Sequence, residues 1–212
     1  MATLDLHEQE QVDAFKAWWN ENGKWTVAAL VLAAAAFAGV RGWQSWQAGQ
    51  AQKAAVLYDD VVQQVASHDP KRVNDAAQAV VDKYGSTAYA PRAELLAAQV
   101  SIQTGQDSQA KTQLQWVIDH AAEAGLQSVA RLKLASLLLD EKKYDQALAL
   151  LEAKHAESFD GLYADLRGDV LLAQGKTDEA RAAYKTAVDK ISEQDVYRNL
   201  IQMKLDALGD SK

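Results

Sequence analysis

No cysteine occurs in the sequence, which excludes a disulfide framework, a thiolate metal site and a thiol nucleophile. The four histidines, His7, His68, His120 and His155, are scattered, with no i, i+4 partner among them. Convergent metal ligands are therefore not offered. A Gly-rich phosphate loop and a G-x-S-x-G elbow are both missing. Asp59-Asp60 is a paired carboxylate, but it falls on an exposed helical face, where solvation rather than catalysis is expected. Neither catalysis nor a cofactor is expected from this inventory. Lys and Arg number 22 against 29 Asp and Glu, a net charge of −7, with no basic stripe interleaved with aromatics. That balance argues against nucleic acid as a partner. Only two prolines occur, Pro70 and Pro91, so the main helix breaker is nearly absent.

What remains is rich in Ala, Leu, Gln, Lys and Glu, all good helix formers. The composition predicts an all-α protein. Charge is absent from Trp25 to Val40, sixteen residues bounded by Lys24 and Arg41. As a helix this run spans about 24 Å, short of the roughly 20 residues that cross a bilayer core. Its flanks supply the remainder. Trp18, Trp19 and Trp25 stand at one end, and Trp43 and Trp46 at the other. Indoles favour the headgroup level, and Lys24 and Arg41 can snorkel outward. Val27, Leu30, Val31, Leu32, Phe37 and Val40 together favour insertion by roughly 2–4 kcal/mol.

Two rival readings are weaker. A cleaved signal peptide could use small residues around Ala36–Phe37–Ala38, but the segment before Lys24 is long and acidic. A core helix would have to be buried all round, which the tryptophan brackets oppose. A single membrane span is the expectation. Its orientation is not set by charge, because Lys16 and Lys24 balance Arg41 and Lys53. Small residues line one face of it, Ala34, Ala38 and Gly42, and could dock another membrane helix. Otherwise they are simply part of an Ala-rich span. Upstream, Leu4 to Asn22 reads as an acidic amphipathic helix with Val12, Phe15 and Trp19 at helical spacing. Asn22-Gly23 is the expected break after it.

Beyond Arg41 the periodicity is helical almost throughout, and Gln47 to Val65 reads as the start of a first hairpin. Three stretches share one pattern: Glu94 to Asp119, Arg131 to Lys154, and Ala164 to Lys190. Each is an apolar helix, a polar turn, then a second helix with an early small residue. Aligning that residue gives Ala110, Ala147 and Ala180, spaced 147 − 110 = 37 and 180 − 147 = 33 residues apart. A weaker copy centres on Ala77. Twelve residues upstream of each anchor stands Ala98, Ala135 or Gly168, where paired helices would cross most closely. The period resembles the tetratricopeptide repeat, 34 residues long, although the first-helix Trp and the closing Pro are missing. In the third copy Leu162, Leu166 and Val170 are expected to face Ala180, Tyr184, Ala187, Val188 and Ile191. Arg167 is placed to pair with Asp165 and Asp169. Val196 to Leu208 reads as a capping helix with Lys and Asp on its outer face. Stacked hairpins present an extended concave surface to partner proteins. The first-helix positions left over for that groove are Arg92, Gln99, Leu132, Ser136, Leu139, Asp165 and Asp169. Any one of them could equally be an ordinary solvated position.

Four pieces in order carry a wider resemblance: the lead ending in "AWWNENGKW", the span followed by "RGWQSWQ", "YADLRGDVLLAQGK" and "QMKLDAL". Together they resemble the YfgM family, bacterial ancillary subunits of the SecYEG translocon. The resemblance implies a cytoplasmic N-terminal segment (1–23), a transmembrane helix (24–46) and a periplasmic tetratricopeptide-like domain (47–212). It places the protein in the bacterial inner membrane. It further implies association with SecYEG and with a PpiD-type membrane-anchored chaperone, and contact with unfolded or nascent secreted proteins. No catalytic residue comes with it. The alternative is an envelope assembly or regulatory scaffold not tied to the translocon.

Overall fold

The computed structural model describes residues 2–67 and 69–209, with side chains from Glu10 onward. His68 and the side chains of Leu4, Asp5, Leu6, His7 and Glu8 lie outside the described residues. Nine α-helices and one 3₁₀ turn make up the regular structure among those residues. They divide into two compact units, one up to Gly49 and one from Gln50.

The first unit is helix α1 (Ala2–Ala66) as far as Gly49. The helix runs through Asn22-Gly23 without a break. A glycine inside a helix costs about 1 kcal/mol relative to Ala, too little to stop one. Gly23 also lets the Trp19 indole lie against the backbone: a Cβ there would stand 3.1 Å from the ring. Thr26 Oγ1 donates to the Asn22 carbonyl, and Asn22 Nδ2 donates to that of Trp18, so the suspected break is tied down on both sides. Phe15, Trp18 and Trp19 form one aromatic cluster, with centroids 6.0–6.3 Å apart. Trp43 and Trp46 form another at 5.1 Å. Between them Trp25, Leu30, Val31, Leu32 and Phe37 are exposed. By length and composition this helix can cross a membrane.

The second unit is a row of helical hairpins. The end of α1 packs on α2 (Pro70–Tyr84), burying Val61 against Val73, Ala77 and Val80. Asp69 caps α2 by accepting from the Lys71 and Arg72 amides, and Pro70 sits where its missing N–H costs nothing. Then come α3 (Tyr89–Gln103) with α4 (Asp107–His120), α5 (Ala124–Asp140) with α6 (Tyr144–Glu152), and α7 (Asp160–Ala173) with α8 (Thr177–Lys190). A 3₁₀ turn, Glu157–Phe159, precedes α7, and α9 (Val196–Ala207) closes the row. The anchors Ala77, Ala110, Ala147 and Ala180 are all fully buried, as are Ala98 and Ala135. Gly168 is where Tyr184 crosses: a Cβ would meet the ring at 2.5 Å.

The three hairpin turns are built alike. Gly105, Lys142 and Gly175 take positive φ, and the next residue's amide reaches back to Ser101, Leu138 or Leu171. That is the Schellman motif, which satisfies the last carbonyls of each first helix. In the third hairpin the expected packing face is rotated. Leu166 and Val170 turn back toward the second hairpin, whereas Gly161 and Gly168 meet α8. Small residues at the crossing, rather than the leucines, set which face is shared.

Candidate functional site

The seven predicted groove residues fall on first helices, where they mostly tie neighbouring hairpins together. Arg92 on α3 donates to Glu123 Oε2 at 2.8 Å, just ahead of α5. Gln99 accepts from Lys133 Nζ of α5 at 2.5 Å. Leu132 and Leu139 pack part-buried on the central core, and Ser136 is exposed.

Asp165 and Asp169 converge, but on the capping helix rather than on an open groove. Asp165 is 2% exposed. It accepts from Tyr197 Oη at 2.6 Å and from Lys204 Nζ at 2.9 and 3.1 Å. Asp169 accepts from Tyr184 Oη at 2.7 Å and from the same Nζ at 2.8 Å. Burial, then the neighbouring carboxylates, push both phenols well above the usual tyrosine range. Burial alone would lower the Lys204 pKa; the hydrogen bonds that Lys204 donates to Asp169 and Asp165 outweigh it and raise it. The cluster is a charged latch holding α9. Arg167 makes no pair with either acid, because both carboxylates face α9 and Arg167 points the other way.

Arg167 instead lines a cleft that sequence patterning does not reveal. It has a volume of about 530 Å³ and lies between α7, α8 and the segment after α6. Its origin is a short helix. The second helix runs ten residues past Ala110 (to 120) and past Ala180 (to 190), but only five past Ala147 (to 152). After Leu151 the apolar pattern lapses into Lys154-His155, and the chain turns extended at Ala153. Ser128 Oγ then accepts the Ala156 amide. The missing turns leave the cleft, floored by Leu151, Ala164 and Leu171. His155 stacks on Tyr163 at 3.8 Å, and Asp160 lies between His155 (3.2 Å) and Lys190 (3.1 Å). Arg167 and Glu179 at its walls have no ion-pair partner among the described residues. An apolar floor with charged walls suits the side chains of a peptide segment. No group of three or more His, Asp or Glu that could hold a metal occurs among the described residues.

The candidates for packing another helix, Ala34, Ala38 and Gly42, are exposed on α1, with open space around Gly42. They share one side of the helix, at i, i+4 and i+8.

A family model described as a tetratricopeptide repeat-like domain matches residues 16–210. A Neisseria gonorrhoeae protein named an ancillary SecYEG translocon subunit is 34% identical over 204 residues, covering 96% of this chain and 98% of the relative. Its Escherichia coli namesake is 30% identical, covering 96% and 97%. One from Haemophilus influenzae is 28% identical, covering 96% and 98%. Helical hairpins with buried small-residue crossings, a long apolar N-terminal helix and these end-to-end matches agree: the chain belongs to the tetratricopeptide repeat-like family of ancillary SecYEG translocon subunits.

Proposed function

We propose that this protein is a membrane-tethered protein-binding scaffold of the Sec translocon, and not an enzyme. The observation that carries this reading is one chain joining an exposed apolar helix to a row of hairpins with a cleft between α7, α8 and the segment after α6. The names of its relatives support the translocon as the assembly it serves. In this reading residues 1–23 are cytoplasmic, 24–46 span the inner membrane and 47–212 are periplasmic. The Ala34–Ala38–Gly42 face docks a membrane helix of the translocon or of a membrane-anchored chaperone. Unfolded secreted segments meet the hairpins as they emerge, at Ser136 and its neighbours on the first helices and at the cleft beside Arg167.

Photo-crosslinking residues placed singly at Ala38, Ser136 and Arg167 test this in inner-membrane vesicles. The expected result is a translocon or chaperone adduct from Ala38, and adducts to a translocating precursor from Ser136 and Arg167. If irradiation during active translocation yields no adduct to any of them, the reading fails.

A further inference from the structure

Helix α9 does more than close the row. Its inward face follows that of the earlier first helices. Val170 of α7 belongs to the central core, whose other helices all precede α7. Thirty-five residues after Val170, Leu205 packs the same way on α8, beside the fully buried Ile201. The same register puts Met203 (168 + 35) where Ala98, Ala135 and Gly168 stand in the hairpins. All three are buried, and Gly168 meets Tyr184 on the second helix of its own hairpin. α9 is thus the first helix of a fourth hairpin, and no second helix covers it among the described residues.

The uncovered face is apolar along one line. Val196 is 81% exposed, Leu200 47% and Met203 68%, with Ala207 next. The spacing i, i+4, i+7, i+11 is the stripe one helix presents to another. The expectation that Lys and Asp both lie outward is corrected here. Asp206 is exposed, but Lys204 turns inward to its two aspartates.

Charge on this helix is sorted in the same sense. Both of its bases are drawn inward, Arg198 Nε donating to the Val188 carbonyl at 3.1 Å and Lys204 latching α7. Glu193, Asp195 and Asp206 remain exposed around the stripe, with Asn199 and Gln202 between them and no exposed base on α9. An apolar line framed by acids alone selects its occupant. A second copy laid on the same face would bring acids against acids.

We propose that Val196, Leu200 and Met203 form a seat for a basic amphipathic helix of another protein, which takes the place of the fourth hairpin's second helix. The apolar line supplies the contact, and the surrounding carboxylates supply orientation and encounter rate. The seat does not depend on the translocon reading, since any partner carrying such a helix would fit it.

The test uses the full chain in nanodiscs of neutral phosphatidylcholine. The probe is a fluorescent, helix-stabilised 14-residue peptide with Leu and Ala on one face and Lys on both flanks. A twin carries Glu in place of Lys. The Lys peptide is expected to bind at least about tenfold more tightly than the Glu peptide, and the gap should narrow as salt rises. Met203→Glu and Leu200→Glu should each weaken it about tenfold or more while helical content and melting stay unchanged, because both residues are exposed. Binding of the Lys peptide unaffected by either substitution would overturn the proposal, as would equal affinity for the Glu twin. A concentration-dependent dimer abolished by Met203→Glu would overturn it in favour of self-association.

Discussion

Glu94 of α3 is 5% exposed, and no hydrogen bond or ion pair reaches its side chain among the described residues. Burial raises its pKa from 4.5 to about 7. Below the unfolded value both states are protonated, and burial of the neutral acid is tolerated. As pH rises from 4.5 to about 7 the unfolded chain releases its proton while the folded chain retains it. Stability therefore falls across that window, and the loss is complete above the folded value. The ceiling is about 3 kcal/mol. Glu94→Gln carries no proton to release. Urea titrations at pH 4.5 and pH 8 should show the wild type losing roughly 1–3 kcal/mol more than the variant. Parallel pH dependence in the two proteins would show that Glu94 ionises in the folded protein as readily as in the unfolded chain, so that burial does not shift it.

Helix α9 is anchored differently from the hairpins. It buries one apolar side chain fully, Ile201, and relies on Lys204 bridging Asp165 and Asp169. Removing one partner of a buried pair is far costlier than removing both, because the survivor keeps its desolvation penalty. Lys204→Met should cost roughly 2–4 kcal/mol locally and raise amide exchange throughout α9. The α3–α6 amides should keep their protection, since they share no partner with the latch. Adding Asp165→Asn should recover part of the loss. A Lys204→Met protein with unchanged α9 protection would mean that Ile201 and Leu205 hold the helix unaided.

This latch also marks where the sequence stops being legible. Helix crossings at Ala110, Ala147 and Ala180 are readable because a small residue at a fixed interval is a local signal. The match between Lys204 and its aspartates, 35 and 39 residues upstream, has no such signal. Asp165 and Asp169 thus read as free groove positions, and Lys204 as a solvated one. The cleft was hidden for a related reason. α6 stops without Gly or Pro, so its early end shows only when its length is set beside α4 and α8.

At the scale of the whole molecule, the question is which side of the membrane carries the hairpins. Flanking charge does not answer it, because Lys16 and Lys24 on one side of the span match Arg41 and Lys53 on the other. Domain size weighs more: long segments after a span translocate largely regardless of nearby charge. The second unit, from Gln50 onward, is such a segment. The lead carries Phe15, Trp18 and Trp19 as an aromatic cluster next to the span, suited to the headgroup level. Export of the hairpins with retention of the lead is the arrangement these features favour. Epitope tags at the two ends test it. Protease added to intact spheroplasts should remove the C-terminal tag and spare the N-terminal one, which should become sensitive only after lysis. Because folded hairpins resist cleavage, the C-terminal tag should follow a short flexible linker after Lys212. Survival of that tag until lysis would put the hairpins in the cytoplasm. Nascent secreted chains would then be out of their reach, although a cytoplasmic helix could still occupy the α9 seat.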